Sequence, residues 1–321
     1  MRAAAGFATM SATKGRDMDD RGLMGDSLRG LALGDGFGVR WFHQGGGQRV
    51  VEMIEHRHTP TEAPFRYSDD TAMALSVVRV LTTHGRIDQQ QLAALFAAEF
   101  LSDPYRQYGY GMVRLLPHLD EDPGNFATYA RALFNGEGSL GNGSAMRVAP
   151  LGAFFHRDLD RVVEEAAASS EVTHTHPEAV AGAIAVAVAA ALAAAGRNDP
   201  PLRPAAFLTA VAQHTPPGVI RDGVAAAAEL DPATAPWRAA ELLGNGERIR
   251  ASDTVPFALW TAARHLDDYA AGLWATAAGL GDVDTTCAIA GGVIAARTGI
   301  GAAPSTWLKL REPLPDWFEA P

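Results

Sequence analysis

Thr175-His176-Pro177-Glu178 leads into Ala179-Val180-Ala181-Gly182-Ala183-Ile184-Ala185-Val186, and the Ala/Val/Leu run then continues unbroken to Ala195. Thr175 followed three residues later by Glu178 has the form of a capping box, and Pro177 falls in the first turn, where a missing N–H costs nothing. The run over 179–195 is Ala-dominated and shorter than the roughly 20 residues that a bilayer crossing requires. It reads as the central buried helix of a globular protein, and no membrane partner is expected.

Helical periodicity recurs on both sides of this segment. Residues 21–33 carry Leu23, Leu28 and Leu31 with small Gly25 and Gly30 between them, a helix that packs closely against its neighbours and is expected to end at Gly34. Further helices are expected over 71–83, 89–101, 109–119, 160–170, 205–213, 219–230, 255–265, 268–278 and 285–297. Long alternating β-branched runs are nearly absent, so the fold class is all-α. The last segment, 305–321, is punctuated by Pro and carries Trp307 and Trp317; irregular chain wrapping the body is expected there. No linker rich in Pro, Gly or Ser separates two self-contained patterns, which gives one domain over 21–321. Residues 1–20 read as a disordered tail, since the short Ala-rich stretch is broken by Thr, Ser and Lys before a signal-peptide core can form.

A chain of 321 residues with 47% hydrophobic and 20% charged residues can bury a large core. The net charge of −10, with no clustered Lys/Arg run, excludes a non-specific nucleic-acid-binding surface. An acidic protein that holds an anionic ligand needs local relief, from a metal ion, helix N-termini or a few placed arginines. The single cysteine, Cys287, can form no intramolecular disulfide, which fits a reducing, cytoplasmic setting. It lies in an apolar Ala/Ile run, where inert packing outweighs a reactive thiol.

Two acidic clusters open apolar helices. Ser68-Asp69-Asp70-Thr71 precedes Ala72-Met73-Ala74-Leu75, and Asp282-Val283-Asp284-Thr285-Thr286 precedes Cys287-Ala288-Ile289-Ala290. Either cluster alone is explained by capping, because Ser and Asp accept from orphan N–H groups and offset the positive end of the helix. Together, four carboxylates and several hydroxyls exceed what two helix starts need. Hard oxygen donors of this kind suit Mg²⁺ or Mn²⁺, whereas Zn²⁺ prefers Cys and His. If the fold joins the two helix starts, divalent cations would relieve a repulsion that four adjacent carboxylates could not otherwise sustain.

Gly138-Ser139-Leu140-Gly141-Asn142-Gly143-Ser144-Ala145-Met146-Arg147 is a Gly-rich turn expected to run into a helix. It is either a phosphate cradle, because glycines let backbone N–H groups approach an anion, or a plain loop with Asn-Gly turn chemistry. Thr173-His174-Thr175-His176 offers two histidines without the further ligands that a zinc site needs. One histidine lining a ligand pocket and a satisfied structural histidine remain the two readings.

In combination these clusters resemble the ADP-ribosylglycohydrolase family. Gly34-Asp35-Gly36-Phe37-Gly38 is similar to its G-D-x-x-G, Ser68 to Thr71 to its [ST]-D-D-T, Gly138 to Arg147 to its G-S-x-G-N-G-x-x-M-R, Thr173-His174 to its T-H, and Asp282 to Thr285 to its D-x-D-[ST], all in the family's order. The resemblance implies a compact, orthogonal all-α helical bundle with two Mg²⁺ ions, or Mn²⁺ in some members. It implies Ser68, Asp69, Asp70, Asp282, Asp284 and Thr285 as metal ligands, and Ser139, Gly141, Asn142, Gly143, Ser144, Met146 and His174 as substrate-binding residues. It also implies hydrolysis at C1″ of ADP-ribose on a modified protein, nucleic acid or small molecule, with Asp69, Asp70 and Asp35 as the catalytic carboxylates.

The chain departs from the family in one respect. Where some members place a catalytic Glu after G-D-x-x-G, it has Arg40, Trp41 and Phe42, and where others use an Asp after the metal helix, it has Tyr105 to Gly111. Asp35 and Asp103 are the nearest substitutes, and Asp35 is equally suited to orienting a metal ligand from behind. The departure leaves two alternatives beside the active glycohydrolase: an inactive relative that binds ADP-ribose and metal, and another metal-dependent phosphohydrolase.

Overall fold

The computed structural model describes residues 3–42, 47–59, 61–200 and 203–319, with side chains from residue 20 onward; the tail expected over 1–20 lies largely outside the described side chains. Among the described residues there are seventeen α-helices, four short 3-10 turns and two isolated β-bridges, and no strand.

Helix Pro177–Ala195 is the centre of the core, buried from Ala179 to Ala194 except at Val180 and Leu192. Helices Leu159–Glu171, Ala149–Phe154, Val283–Thr298 and Ala251–Arg264 surround it. The small side chains that make this run apolar without bulk let the neighbours come close. A Cβ on Gly152 would stand 1.9 Å from the Ala187 carbonyl oxygen, so the two helices touch through their backbones. The start of the helix differs from the expected capping box. His176 Nδ1, and not Thr175, accepts from the Glu178 N–H at 3.2 Å. The Glu178 carboxylate instead accepts from Val219 N and Ile220 N, at 3.0 Å each, and so caps helix Val219–Glu229, whose own N-cap Gly218 has no side chain to offer.

Gly34 does not end the first helix. Helix Ala3–Phe42 runs through Gly34-Asp35-Gly36 and stops only at Phe42. Gly30, Gly34 and Gly38 recur every four residues and therefore share one face, and that face lies directly on helix Val283–Thr298. A Cβ on Gly30 would come within 2.6 Å of the Gly291 carbonyl oxygen, one on Gly34 within 2.2 Å of the Cys287 oxygen, and one on Gly38 within 2.6 Å of the Asp284 nitrogen. What looked like a helix stop is thus a contact groove. Ser27 Oγ donates to the Gly292 carbonyl at 2.9 Å and ties the pair together inside the core, while Tyr269 Oη, from helix Tyr269–Ala277, donates to the Gly30 carbonyl at 2.7 Å.

Most expected helices are present with ends shifted by a few residues. Helices Asp69–His84 and Val283–Thr298 each begin two residues before the expected start, so their first turns contain the acidic clusters. The C-terminal segment is not irregular: it forms helices Ser305–Leu310 and Asp316–Glu319. Trp307 is buried and stacks on Phe37 at 4.7 Å, which explains why this short segment is held in helical form. Short helices Gln48–Glu55, Phe126–Ala132 and Pro236–Leu243 were not anticipated, and the helix expected after the Gly-rich turn is Ala149–Phe154.

The groove gives a paired prediction. Gly34→Ala should lower stability by about 2–3 kcal/mol, because an extra carbon meets a fixed backbone carbonyl. Gly22→Ala, in the same helix where nothing lies within 4 Å of the added carbon, should raise it by about 0.5–1 kcal/mol. Denaturant unfolding of the two variants measures both signs; equal effects would disprove the contact argument.

Candidate metal centre and ligand pocket

Three buried carboxylates meet where the glycine-faced helix crosses two helix starts. Asp35, Asp70 and Asp284 each place an oxygen so that all three lie within 4.8 Å of one another. Asp35 lies on helix Ala3–Phe42, one residue beyond Gly34, and is fully buried. Its carboxylate accepts from Ser68 N at 3.0 Å, Thr71 N at 3.1 Å and Thr71 Oγ1 at 2.6 Å. It therefore caps helix Asp69–His84 from a neighbouring element. Ser68 provides the local cap, accepting from Asp70 N at 3.2 Å while its hydroxyl donates to Asp70 Oδ2 at 2.9 Å. Thr285 Oγ1 stands 3.5 Å from the same Asp70 oxygen, and Asp284 Oδ1 accepts from Thr285 N at 2.9 Å.

Capping does not exhaust the cluster. Asp70 Oδ1 is buried and has no hydrogen-bond partner, an arrangement that costs free energy unless something else satisfies it. Burial raises the pKa of Asp35 to about 6 against the opposing pull of its hydrogen bonds. Asp70, Asp69 and Asp284 are pushed well above the ordinary carboxylate range, by burial first and then by one another's charge. Asp282 is raised too, again by burial. An orphaned anionic oxygen amid mutually repelling oxygen donors fits a hard divalent cation, and no cysteine or histidine belongs to the set.

Above the cluster opens a pocket of about 490 Å³, lined by Asp69, Asp70, Asp282, Asp284 and Thr285 at its acidic end and by Gly138 to Gly143, Met146 and His174 along one wall. The Gly-rich segment forms a short 3-10 turn, Asn142–Ser144, followed by turns, with helix Ala149–Phe154 only after them. Asn142 joins wall to floor: its Nδ2 donates to Asp282 Oδ2 at 2.7 Å and to Thr254 Oγ1 at 3.0 Å. Ser139 Oγ accepts from Gly141 N at 3.2 Å and closes the turn.

His174 lies beneath the wall, buried, with the two loop glycines against its ring. A Cβ on Gly143 would stand 3.0 Å from its Nε2. Burial, reinforced by Arg147, lowers its pKa to about 3, so the imidazole is neutral. Arg147 donates to Thr173 Oγ1 at 3.0 Å, and that hydroxyl is 2.7 Å from His174 Nδ1. The chain of donors favours a proton on Nε2, toward the pocket. Arg147 itself is fully buried, its guanidinium 4.4 Å over the Phe96 ring and bonded to the Ser169 carbonyl at 2.8 Å.

Most of the residues singled out in the sequence come together here. Ser68 and Ser144 do not line the pocket: Ser68 acts on Asp70 from behind, and Ser144 Oγ donates to the Ala179 carbonyl inside the core. Asp103 is held in an ion pair with Arg106 at 2.9 Å, away from the pocket lining. Arg40 pairs with exposed Glu62, and Trp41 packs against Phe37 and Trp274. Phe134, Glu137, Arg248, Ile249 and Arg250 line the pocket and escaped the sequence reading. They lie in turns and irregular segments, which carry no helical periodicity to place them. Cys287 is buried, and burial pushes its thiol well above the usual range.

Fold and site together define an all-helical protein with a carboxylate cluster at the floor of a glycine-walled pocket. The chain belongs to the ADP-ribosylglycohydrolase family, whose model matches residues 18–320. It is similar to ADP-ribosylhydrolase ARH3 of Homo sapiens, 40% identical over 115 residues, or 36% of this chain and 31% of that protein. The Xenopus tropicalis ARH3 is 32% identical over 149 residues, 46% of this chain and 41% of the relative. These matched segments span less than half of the relatives' length. A solved structure of an ADP-ribosylglycohydrolase-related protein complex superposes with a TM-score of 0.61 at 25% identity, covering 92% of this chain and 94% of that one.

The raised carboxyl pKa values have a definite sign in stability. Each group holds its proton more tightly folded than unfolded, so its contribution is present at low pH and lost as pH rises. For Asp35 the loss runs from 3.8, the unfolded value, to about 6, and the more strongly raised groups extend it upward. In chelator, the thermal midpoint of Asp284→Asn relative to the parent should therefore climb steadily between pH 4 and neutrality. Thermal unfolding across that range measures it, and a pH-independent difference would contradict the repulsion.

Proposed function

We propose that this chain is a divalent-cation-dependent hydrolase that releases ADP-ribose by cleaving the glycosidic bond at C1″ of a modified substrate. The supporting observation is the convergence of Asp35, Asp70 and Asp284 from three helices around an orphaned Asp70 oxygen, at the floor of a pocket with a Gly-rich wall. Under this reading Asp69, Asp70, Asp282, Asp284 and Thr285 hold two Mg²⁺ or Mn²⁺ ions, and Ser68, expected among the ligands, orients Asp70 from behind. Bound there, the cations would orient sugar hydroxyls and lower the pKa of a water molecule.

The protein's own groups then have separate tasks. Asp35 fixes the start of helix Asp69–His84 through Ser68 and Thr71 and so aims Asp69 and Asp70. Asn142 fixes Asp282. The amides of Asn142 and Gly143 and the neutral His174 ring offer N–H groups to an anionic diphosphate without the desolvation of a second charge. Asp69 lines the pocket beside this floor, and we assign it to accept a proton from the attacking water as the C1″ bond breaks through an oxocarbenium-like transition state. The leaving group recovers a proton from solvent, so the net reaction is addition of one water across the bond. The engagement of Asp103 by Arg106 leaves this role to the pocket carboxylates. We place the reaction in the cytoplasm as part of the same reading, which the buried single cysteine supports.

Asp70→Ala and Asp284→Ala should each cut ADP-ribose release by at least about 100-fold, and excess chelator should do the same to the parent protein. The assay is chromatographic detection of ADP-ribose from a panel of ADP-ribosylated peptides, nucleic acids and small molecules with Mg²⁺ or Mn²⁺. Unchanged turnover in either variant removes the acidic floor from the reaction. Calorimetric binding of ADP-ribose with no turnover on any linkage would instead establish the inactive relative.

A further inference from the structure

The rim of the pocket beside its Gly-rich wall carries positive charge that no motif announced. Arg248 and Arg250 both line the pocket and both are exposed. Among the described residues neither guanidinium has a hydrogen-bond or ion-pair partner. Their backbone, by contrast, is closely held. Arg250 forms a β-bridge with Gly141, and Ala251 N donates to the Leu140 carbonyl at 3.1 Å, which fastens this segment to the Gly-rich wall. Arg248 N donates to Asp253 Oδ2 at 2.8 Å, and Asn245 O accepts from Asp282 N at 3.0 Å, which fastens the other end to the acidic floor. Gly246, at φ +87°, allows the approach: a Cβ there would stand 2.4 Å from the Asp282 Cβ.

Two guanidinium groups without a partner thus stand on fixed backbone bonded to the Gly-rich segment that lines the pocket. The remaining carboxylate on this rim, Glu137, lies just before Gly138 on the same wall and opposes an anion there. A protein of net charge −10 with a carboxylate floor repels a diphosphate unless positive charge is placed locally. Arginine does this with planar, charge-assisted hydrogen bonds to phosphate oxygens.

We propose that Arg248 and Arg250 are the specificity residues of this pocket for the negative charge of its ligand, holding the diphosphate from beside the Gly-rich loop. The proposal rests on the ADP-ribose reading above. It assigns the selection of a charged nucleotide over an uncharged nucleoside to two side chains outside both the acidic cluster and the Gly-rich segment. Glu137 sets the limit of that selection from the opposite sign.

The test is calorimetric titration of the full chain with ADP-ribose and with adenosine, in Mg²⁺, at low and at high NaCl. Replacing both arginines, R248A/R250A, should weaken ADP-ribose binding about tenfold and flatten its salt dependence, while leaving adenosine binding unchanged. R248K/R250K should keep the salt dependence and recover part of the affinity. E137Q should tighten ADP-ribose by about two- to threefold, with adenosine unaffected. Equal losses for ADP-ribose and adenosine would overturn the proposal, because the arginines would then only shape the wall. Unchanged ADP-ribose affinity in R248A/R250A, with parental binding intact, would also overturn it while leaving the functional reading standing. Failure of the parent protein to bind ADP-ribose at all would remove both.

Discussion

Helix Ala3–Phe42 and helix Val283–Thr298 meet backbone to backbone, and the rest of the site follows from that contact. With Gly34 against the Cys287 carbonyl and Gly38 against the Asp284 nitrogen, the helices approach too closely for any side chain to intervene. Asp35 is one residue along from Gly34, and Asp284 is the residue touched by Gly38. The same approach that excludes a Cβ therefore forces two carboxylates from opposite ends of the chain into one small volume. Asp35 then captures Ser68 and Thr71, which brings Asp70 to the same point. One steric constraint and one set of hydrogen bonds assemble three elements.

The electrostatic consequence is large enough to decide the chemistry. Two unit charges 4.8 Å apart repel by about 3 kcal/mol even at an effective dielectric of 20. Three such pairs approach the whole stability of an ordinary domain, which is about 5–15 kcal/mol. The fold therefore cannot hold these groups fully ionised and uncompensated. Either they keep protons, as their raised pKa values express, or cations replace the protons. The buried Asp70 oxygen without a partner adds an unmet polar need at the same point.

The all-α class and the two acidic helix starts could be read from the sequence because each depends on local pattern. Apolar residues at helical spacing specify helices, and Ser68-Asp69-Asp70 or Asp282-Val283-Asp284 before an apolar run specifies a helix start. The error at Gly34 shows the limit of such reading. Glycine lowers helix propensity locally, but its missing Cβ becomes an asset when another backbone arrives from 250 residues away. The Thr175/Glu178 box failed in the same way: the local partner existed, yet Glu178 was drawn to the more exposed need of helix Val219–Glu229. Phe134, Glu137 and the 248–250 segment were illegible because they reach the pocket through irregular chain, whose path depends on anchors elsewhere.

Those anchors make the pocket one mechanical unit. Asn142 grips the Asp282 carboxylate while Asn245 accepts from the Asp282 backbone N–H, so one residue of the floor is held from both flanks of the wall. Displacing the Gly-rich loop would displace Asp282, and displacing Asp282 would move the segment that carries Arg248 and Arg250. Catalytic geometry tolerates errors of only about 0.5 Å, which loops alone seldom maintain. Here the irregular segments bond to the first turn of a buried helix at Asp282, so the glycine-faced helix pair also fixes the backbone of the pocket wall.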